Sequence, residues 1–434
     1  MTITASSFLI KEFTAHKVQA AIDTAQIIIT QSHPFEESKF ALEQVEIRLK
    51  DLLQRLHRPS TNDAILRTYC KRALVELTEI IPLIGFIERS TDVTGPVEFF
   101  GPFSRITKRL IGNTTKLILS STWQFNPHTI IYPDQVVGVA DFVFVGFPVS
   151  ESDNAFLTPL AAHELGHNLW QKKRLEQHFK PIIGEAVAQI LKNEYQDKLP
   201  DDFKVALTSA GDLVGQANWF TAYLWASKQL EECFCDFLGG YLFGPSYLYA
   251  FTHFSCPGLE SSDPKYPPAI QRHNYLLHAA REIGWDLNAS MTSTLFEALS
   301  RSTGIDSNPL TRVFLEVADK AREKLLPQVK ALALQYARDA DLLFNQQVVP
   351  KIKNDFIKGL PCVDVPSLAS ICNAGWELFI SDLSADFESV DGRVKSKVTP
   401  KLINELMLKS FEILEIETVL KEQAECSTQM PFTV

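Results

Sequence analysis

His163-Glu164-Leu165-Gly166-His167 is an H-E-x-x-H sequence inside a run that reads as helix. Side chains four apart share one face of a helix, so both imidazoles can reach one metal ion. Glu164, next to the first histidine, is placed to take a proton from water on that ion without being a ligand itself. The chemistry this spacing points to is zinc-assisted hydrolysis. Thr158 as N-cap and Pro159 at the first helical position predict where the helix begins. Leu160, Ala161, Leu165, Leu169 and Trp170 give it a face to bury. Gly166 is a poor helix former, by about 1 kcal/mol against alanine. Its small size leaves room for another element or a ligand side chain to come close.

A tetrahedral catalytic zinc needs a third protein ligand and an open position for water. Glu232, in Leu230-Glu231-Glu232-Cys233-Phe234-Cys235-Asp236, is the best candidate. Glu232 and Asp236 are again four apart, so one could bind the metal while the other accepts the free ring N–H of a ligand histidine. A buried acidic pair in a helix rich in Phe, Leu and Cys would be expensive without a cation or hydrogen bonds. Glu231 and Glu185 are the rival ligands. Cys233 and Cys235 flank this position, but thiols two apart on a helix point about 200° from one another. They read as buried, inert cysteines.

The H-E-x-x-H sequence followed by Glu232-x-x-x-Asp236 resembles the gluzincin zinc metallopeptidases. The nearest type has an H-E-x-x-H helix, an E-x-x-x-D helix and a later H-P-x-x-x-x-R segment. Tyr266-Pro267-Pro268-Ala269-Ile270-Gln271-Arg272 is a partial counterpart of that segment. Its proline and arginine fall at the family's spacing, and Tyr266 stands where the family has histidine. The resemblance covers residues 140–285 and implies a zincin-like core with Arg272 near the active site, supporting the metal centre or the substrate. It implies zinc on His163, His167 and Glu232, with Asp236 behind a histidine. Bound zinc would lower the pKa of its water to about 7, and Glu164 would take the proton and return it to the leaving amine. Candidate oxyanion donors are Arg272, Tyr266, His273 and Tyr241. A tyrosine hydroxyl can fill that role.

The elements that must position these residues are mostly helices. Residues 10–30, 35–57 and 62–90 have apolar spacing near 3.6, with breaks at His33-Pro34 and over residues 58–63. Further helices are expected near 311–345, 347–358, 366–381 and 400–422, broken at Gly359-Leu360-Pro361 and by a polar stretch at 383–397. Strand-like runs are confined to 116–119, 129–132 and 141–145, separated by turn signals at Asn126-Pro127 and Pro133-Asp134. In zincin peptidases a small sheet precedes the H-E-x-x-H helix and its edge strand takes up extended substrate. Asp141–Val145 reads either as such an edge or as a core strand with no substrate role. The expected fold is mainly α with a small β-sheet (α+β). It divides into an N-terminal helical region (1–112), a zincin-like core (113–290) and a C-terminal helical region (291–434).

Composition narrows the function classes. With 45% apolar and 22% charged residues the chain is an ordinary globular one. A net charge of −10 argues against general nucleic-acid affinity, which needs clustered positive charge. No eighteen-residue apolar run suggests a membrane span, and no secretion signal is expected from Met1–Ser7, which lacks a positively charged start before an apolar run. The seven cysteines are scattered and odd in number, which suits a reducing cytoplasm and no disulfide framework. The expected partner is therefore a peptide or protein substrate, with the helical arms available to a protein partner. Two function classes follow. One is a zinc metallopeptidase. The other is a non-catalytic helical binding or regulatory protein with a structural or vestigial zinc site, against which the intact Glu164 speaks.

Overall fold

The 3.6-residue spacing in the first ninety residues forms three helices, α1 (Ala5–Ile29), α2 (Glu36–His57) and α3 (Asp63–Arg89). Along α2, Leu42, Val45, Leu49, Leu52 and Leu56 recur every three or four positions and all are buried. The Asn62 side chain caps α3 by accepting from the amides of Ala64 and Ile65 at 2.9 and 3.2 Å. The computed structural model describes residues 5–58, 62–90, 97–122, 127–130, 141–151, 153–195, 213–255, 263–285, 287, 309–365, 367–388 and 399–428. The expected turns at Asn126 and Pro133-Asp134, the end of the 129–132 strand and Cys256 lie outside them.

A three-stranded sheet belongs with these helices. β1 (Lys116–Thr122) pairs in parallel with β3 (Phe142–Pro148), and β2 (His128–Ile130) pairs antiparallel to the other side of β3. The edge reading of Asp141–Val145 is thereby corrected, because β3 is the central strand. The run Phe142-Val143-Phe144-Val145 is continuously apolar and wholly buried, the pattern of a strand covered on both faces. Phe142, Phe144 and Ile118 join Leu42, Val45, Leu77 and Ile84 in one core.

The described fold is mainly helical with this one small sheet. Contacts group Met1–Val97 with Gly112–Asp153, and Glu98–Ile111 with Asn154–Val434. The chain passes between the units at 97/98, 111/112 and 153/154, and residue 290 lies outside the described residues. The strands go with the N-terminal helices, and the C-terminal helices go with the H-E-x-x-H segment.

The second unit contains α4 (Val97–Ile111, from Glu98), α5 (Ala161–Lys172), α6 (Leu175–Glu194), α7 (Leu213–Phe243), α8 (Pro245–Ser255) and α9 (Ala269–Ile283). It continues with α10 (Pro309–Asp339), α11 (Val349–Ile357), α12 (Leu368–Glu388) and α13 (Pro400–Thr428). The helix expected near 366–381 runs on to Glu388, so the polar residues 383–388 are helical and 389–397 lie outside the described set. The hub is α7, which packs against α5, α6, α8, α9, α10 and α12. Every residue from Leu230 to Ala250 is buried, so the C-terminal half of α7 is surrounded on all sides. No helix among the described residues is long and apolar enough to cross a membrane.

Candidate metal centre

The helix carrying the histidines does not start at the expected cap. Residues Ala155–Leu160 form a 3-10 turn, capped by the Asn154 side chain on the amide of Phe156, and α5 follows directly. Thr158 is buried inside that turn and its hydroxyl has no hydrogen-bond partner among the described residues. An asparagine one turn earlier took the capping role because the chain enters the helix through tighter geometry. Trp170 then stacks on Phe179 of α6 at 5.5 Å and meets Phe234 of α7 at 5.3 Å, fixing α5 against both neighbours.

The close approach expected at Gly166 is made by α7. A β-carbon at that position would lie 2.8 Å from the Cα of Cys235 and 2.9 Å from its Sγ. This contact brings Glu231, Glu232, Cys235 and Asp236 up to the two imidazoles. The rings of His163 and His167 lie 4.9 Å apart and nearly perpendicular. Glu232 meets both, with one carboxylate oxygen 3.2 Å from Nε2 of His163 and the other 3.6 Å from Nε2 of His167. A tetrahedron with bonds of about 2.0–2.1 Å has edges of about 3.3 Å, and each of these two contacts, made by a different oxygen, is near that length. Cys235 makes a second trio with the same pair. Its sulfur and one nitrogen of each ring all lie within 4.8 Å of one another. His163, His167 and Cys235 could together hold a metal ion.

Each histidine has a carboxylate behind it. Nδ1 of His163 lies 3.1 Å from Oδ1 of Asp236 and 3.2 Å from the Tyr247 hydroxyl, which donates to the same Oδ1 at 2.7 Å. Nδ1 of His167 lies 2.9 Å from Glu231, whose other oxygen accepts from Lys228 at 2.7 Å. A proton on each Nδ1 leaves the Nε2 lone pairs for a metal. Arg272 grips Asp236 with two hydrogen bonds of 2.6 and 2.7 Å and lies 3.5 Å from Glu232. Its guanidinium also rests over the ring of Phe251.

The electrostatics show what this donor set lacks. Burial by itself would weaken His163 as a base, but hydrogen bonds to Asp236 and Glu232 outweigh it and push the imidazole up to about 10. Burial would raise Glu232, yet the charge of His167, the contact with His163 and the charge of Arg272 bring it down to about 2. Asp236 is held below the usual carboxylate range against its own burial, chiefly by Arg272. Protons on the imidazoles stand in for a cation among these carboxylates. Glu231 pairs with the exposed Lys228, Glu232 and Asp236 pair with Arg272, and Glu164 is a fourth buried carboxylate on the helix of the histidines. With neutral imidazoles, four carboxylates against two cations leave an excess of two negative charges, which one divalent ion would cancel. The residues present fit such an ion.

Other expected residues fall in different places. Glu185 is exposed on α6 and bonded to Gln189, so it is not part of the cluster. Tyr241 packs on Phe237 and Trp285, with Glu282 and Arg338 as its charged neighbours. His273 is fully buried, and burial lowers its pKa to about 4. Tyr266 is 43% exposed and feels the charges of Glu232 and Glu164. Arg272 is engaged by Asp236, a positioning contact.

Three residues of the centre were not assigned these places by sequence reasoning: Tyr247, Glu231 as the partner of His167, and Cys235. Tyr247 had a faint signal in Gly239-Gly240. A β-carbon at Gly239 would lie 2.4 Å from the Tyr247 ring, so the glycine opens the slot through which that hydroxyl reaches Asp236. Compared with known proteins, the chain matches no protein-family model, no curated protein and no solved structure.

Proposed function

We propose that this chain is a zinc-dependent metallopeptidase of gluzincin type. The observation that carries the reading is the Glu232 carboxylate lying against Nε2 of both histidines, with Glu164 buried on the same helix. His163, His167 and Glu232 would hold the ion. When bound, zinc would supply Lewis acidity that acidifies water and polarises a peptide carbonyl. Asp236 and Tyr247 orient His163, and Glu231 orients His167, so neither ring needs to reorganise. Arg272 keeps Asp236 ionised. The Glu164 carboxylate accepts the proton of the attacking water and passes it to the departing amine nitrogen. The phenol of Tyr266 donates to the developing oxyanion, a role its half-exposed position beside Glu232 and Glu164 supports.

Glu164→Gln tests this reading, with metal content measured alongside hydrolysis of a peptide mixture. The expected result is unchanged zinc with hydrolysis lowered by about 10²–10⁴-fold. Undiminished hydrolysis would remove Glu164 from the mechanism. A zinc-loaded wild type that cleaves no peptide would leave a structural metal site as the better reading. Cys235 favours that second reading, because a thiolate beside the histidines would close the position water needs.

A further inference from the structure

Cys235 is a buried side chain at this centre that the mechanism above does not use. It stands three residues after Glu232 and one before Asp236, on the face of α7 that meets α5. Its Sγ would lie 2.9 Å from a β-carbon at residue 166. Only glycine there lets the sulfur settle against the surface of α5 that His163 and His167 flank. The sulfur and a nitrogen from each of those rings then fall within 4.8 Å of one another. Cys233 sits about 200° around the helix from Cys235, and among the charges acting on it Arg322 has the largest effect.

We propose that Cys235 Sγ is a further ligand of the ion held by His163 and His167, giving the centre a closed and an open form. This rests on the metal-centre reading above. In the closed form His163, His167, Glu232 and Cys235 fill four positions, the arrangement of a structural zinc. In the open form the sulfur is released and a position is left for water, the arrangement of a catalytic one. Closing forms one sulfur–metal bond as the Cys235 thiol gives its proton to solvent, and opening returns it. No electron is transferred. The ion's own charge drives that deprotonation. The chain would then carry its latency within the metal centre, without a separate inhibitory segment.

The test uses the full chain loaded with Co²⁺, read by near-ultraviolet absorption, and the zinc form, read by X-ray absorption at the zinc edge. The proposal expects a sulfur-to-cobalt charge-transfer band and a sulfur at about 2.3 Å beside nitrogen and oxygen at about 2.0–2.1 Å. Both signals should vanish in Cys235→Ser and persist in Cys233→Ser. If Cys235→Ser does not fold, wild type and Cys233→Ser decide the matter. A sulfur shell in both supports the proposal, and none in wild type overturns it. One metal per chain with nitrogen and oxygen ligands alone would overturn the closed form and leave the metal centre standing. A sulfur signal that survives Cys235→Ser, or disappears with Cys233→Ser, would also overturn it. Failure to bind either ion would overturn both the closed form and the metal-centre reading.

Discussion

Two buried arginines are tied to the same pair of helices in opposite ways. Arg322, on α10 and 1% exposed, donates to the amide oxygens of Gln229 on α7 and Gln271 on α9, and to Asp319 and Glu323 at its margin. Arg272, the next residue after Gln271, donates instead to Asp236 on α7, where carboxylates outnumber cations. Arg322 is held by two neutral amides and two carboxylates on its own helix, and its Nε has no hydrogen-bond partner among the described residues. With neutral imidazoles the carboxylates around Arg272 exceed the cations, a surplus that imidazole protons or a divalent ion would cancel. Arg322 ties helices together through amide oxygens, whereas Arg272 lies among clustered carboxylates and imidazoles, the arrangement that makes a candidate site.

The sharpest way to break this comparison is Asp236→Ala. It strips the buried partner from Arg272, leaves Nδ1 of His163 with only the Tyr247 hydroxyl, and should cost about 3–5 kcal/mol in denaturant unfolding. It should also weaken zinc binding by about 10–100-fold. A loss below 1 kcal/mol would mean that Arg272 finds other partners and the network is not the unit described.

His273, adjoining Arg272, gives the next effect. Its folded pKa is depressed to about 4 by burial, against an unfolded value near 6.5. Between those values the unfolded chain binds the extra proton, so stability is full above about 6.5 and is lost as pH falls towards 4. The loss should approach about 3 kcal/mol and be absent in His273→Leu. Parallel pH profiles for the two proteins would show that the ring is not held neutral.

The smallest effect sharpens the contrast itself. Arg322→Met should cost about 1–3 kcal/mol by leaving amide oxygens unsatisfied. Zinc at a hundred times its dissociation constant should still stabilise that variant by about 2.7 kcal/mol, as it should the wild type. A metal increment that disappears with Arg322 would make the two networks one.

The helical character of both ends, the cores of α2 and α3 and the shared faces of His163 with His167 and Glu232 with Asp236 were legible along the chain. The reason is that helical periodicity is local: four residues make a turn whatever surrounds it. Whether Asp141–Val145 is an edge or a core strand was not legible, because a strand's place in a sheet depends on partners distant in sequence, here Lys116 to Thr122 on one side and His128 to Ile130 on the other. Thr158 lost the cap to Asn154 because a 3-10 entry shifted the helix start.

The residue types at the centre, their turn-by-turn spacing and the chemistry they could perform were written in the sequence. Which carboxylate stands behind which imidazole was decided only when α7 crossed α5 at Gly166. The same crossing decided that Cys235 and not Cys233 faces the histidines, and the turn after α7 carried Tyr247 back to Asp236. A helix repeats its own geometry without help, but the contact between two helices depends on where side chains are small enough to let them touch.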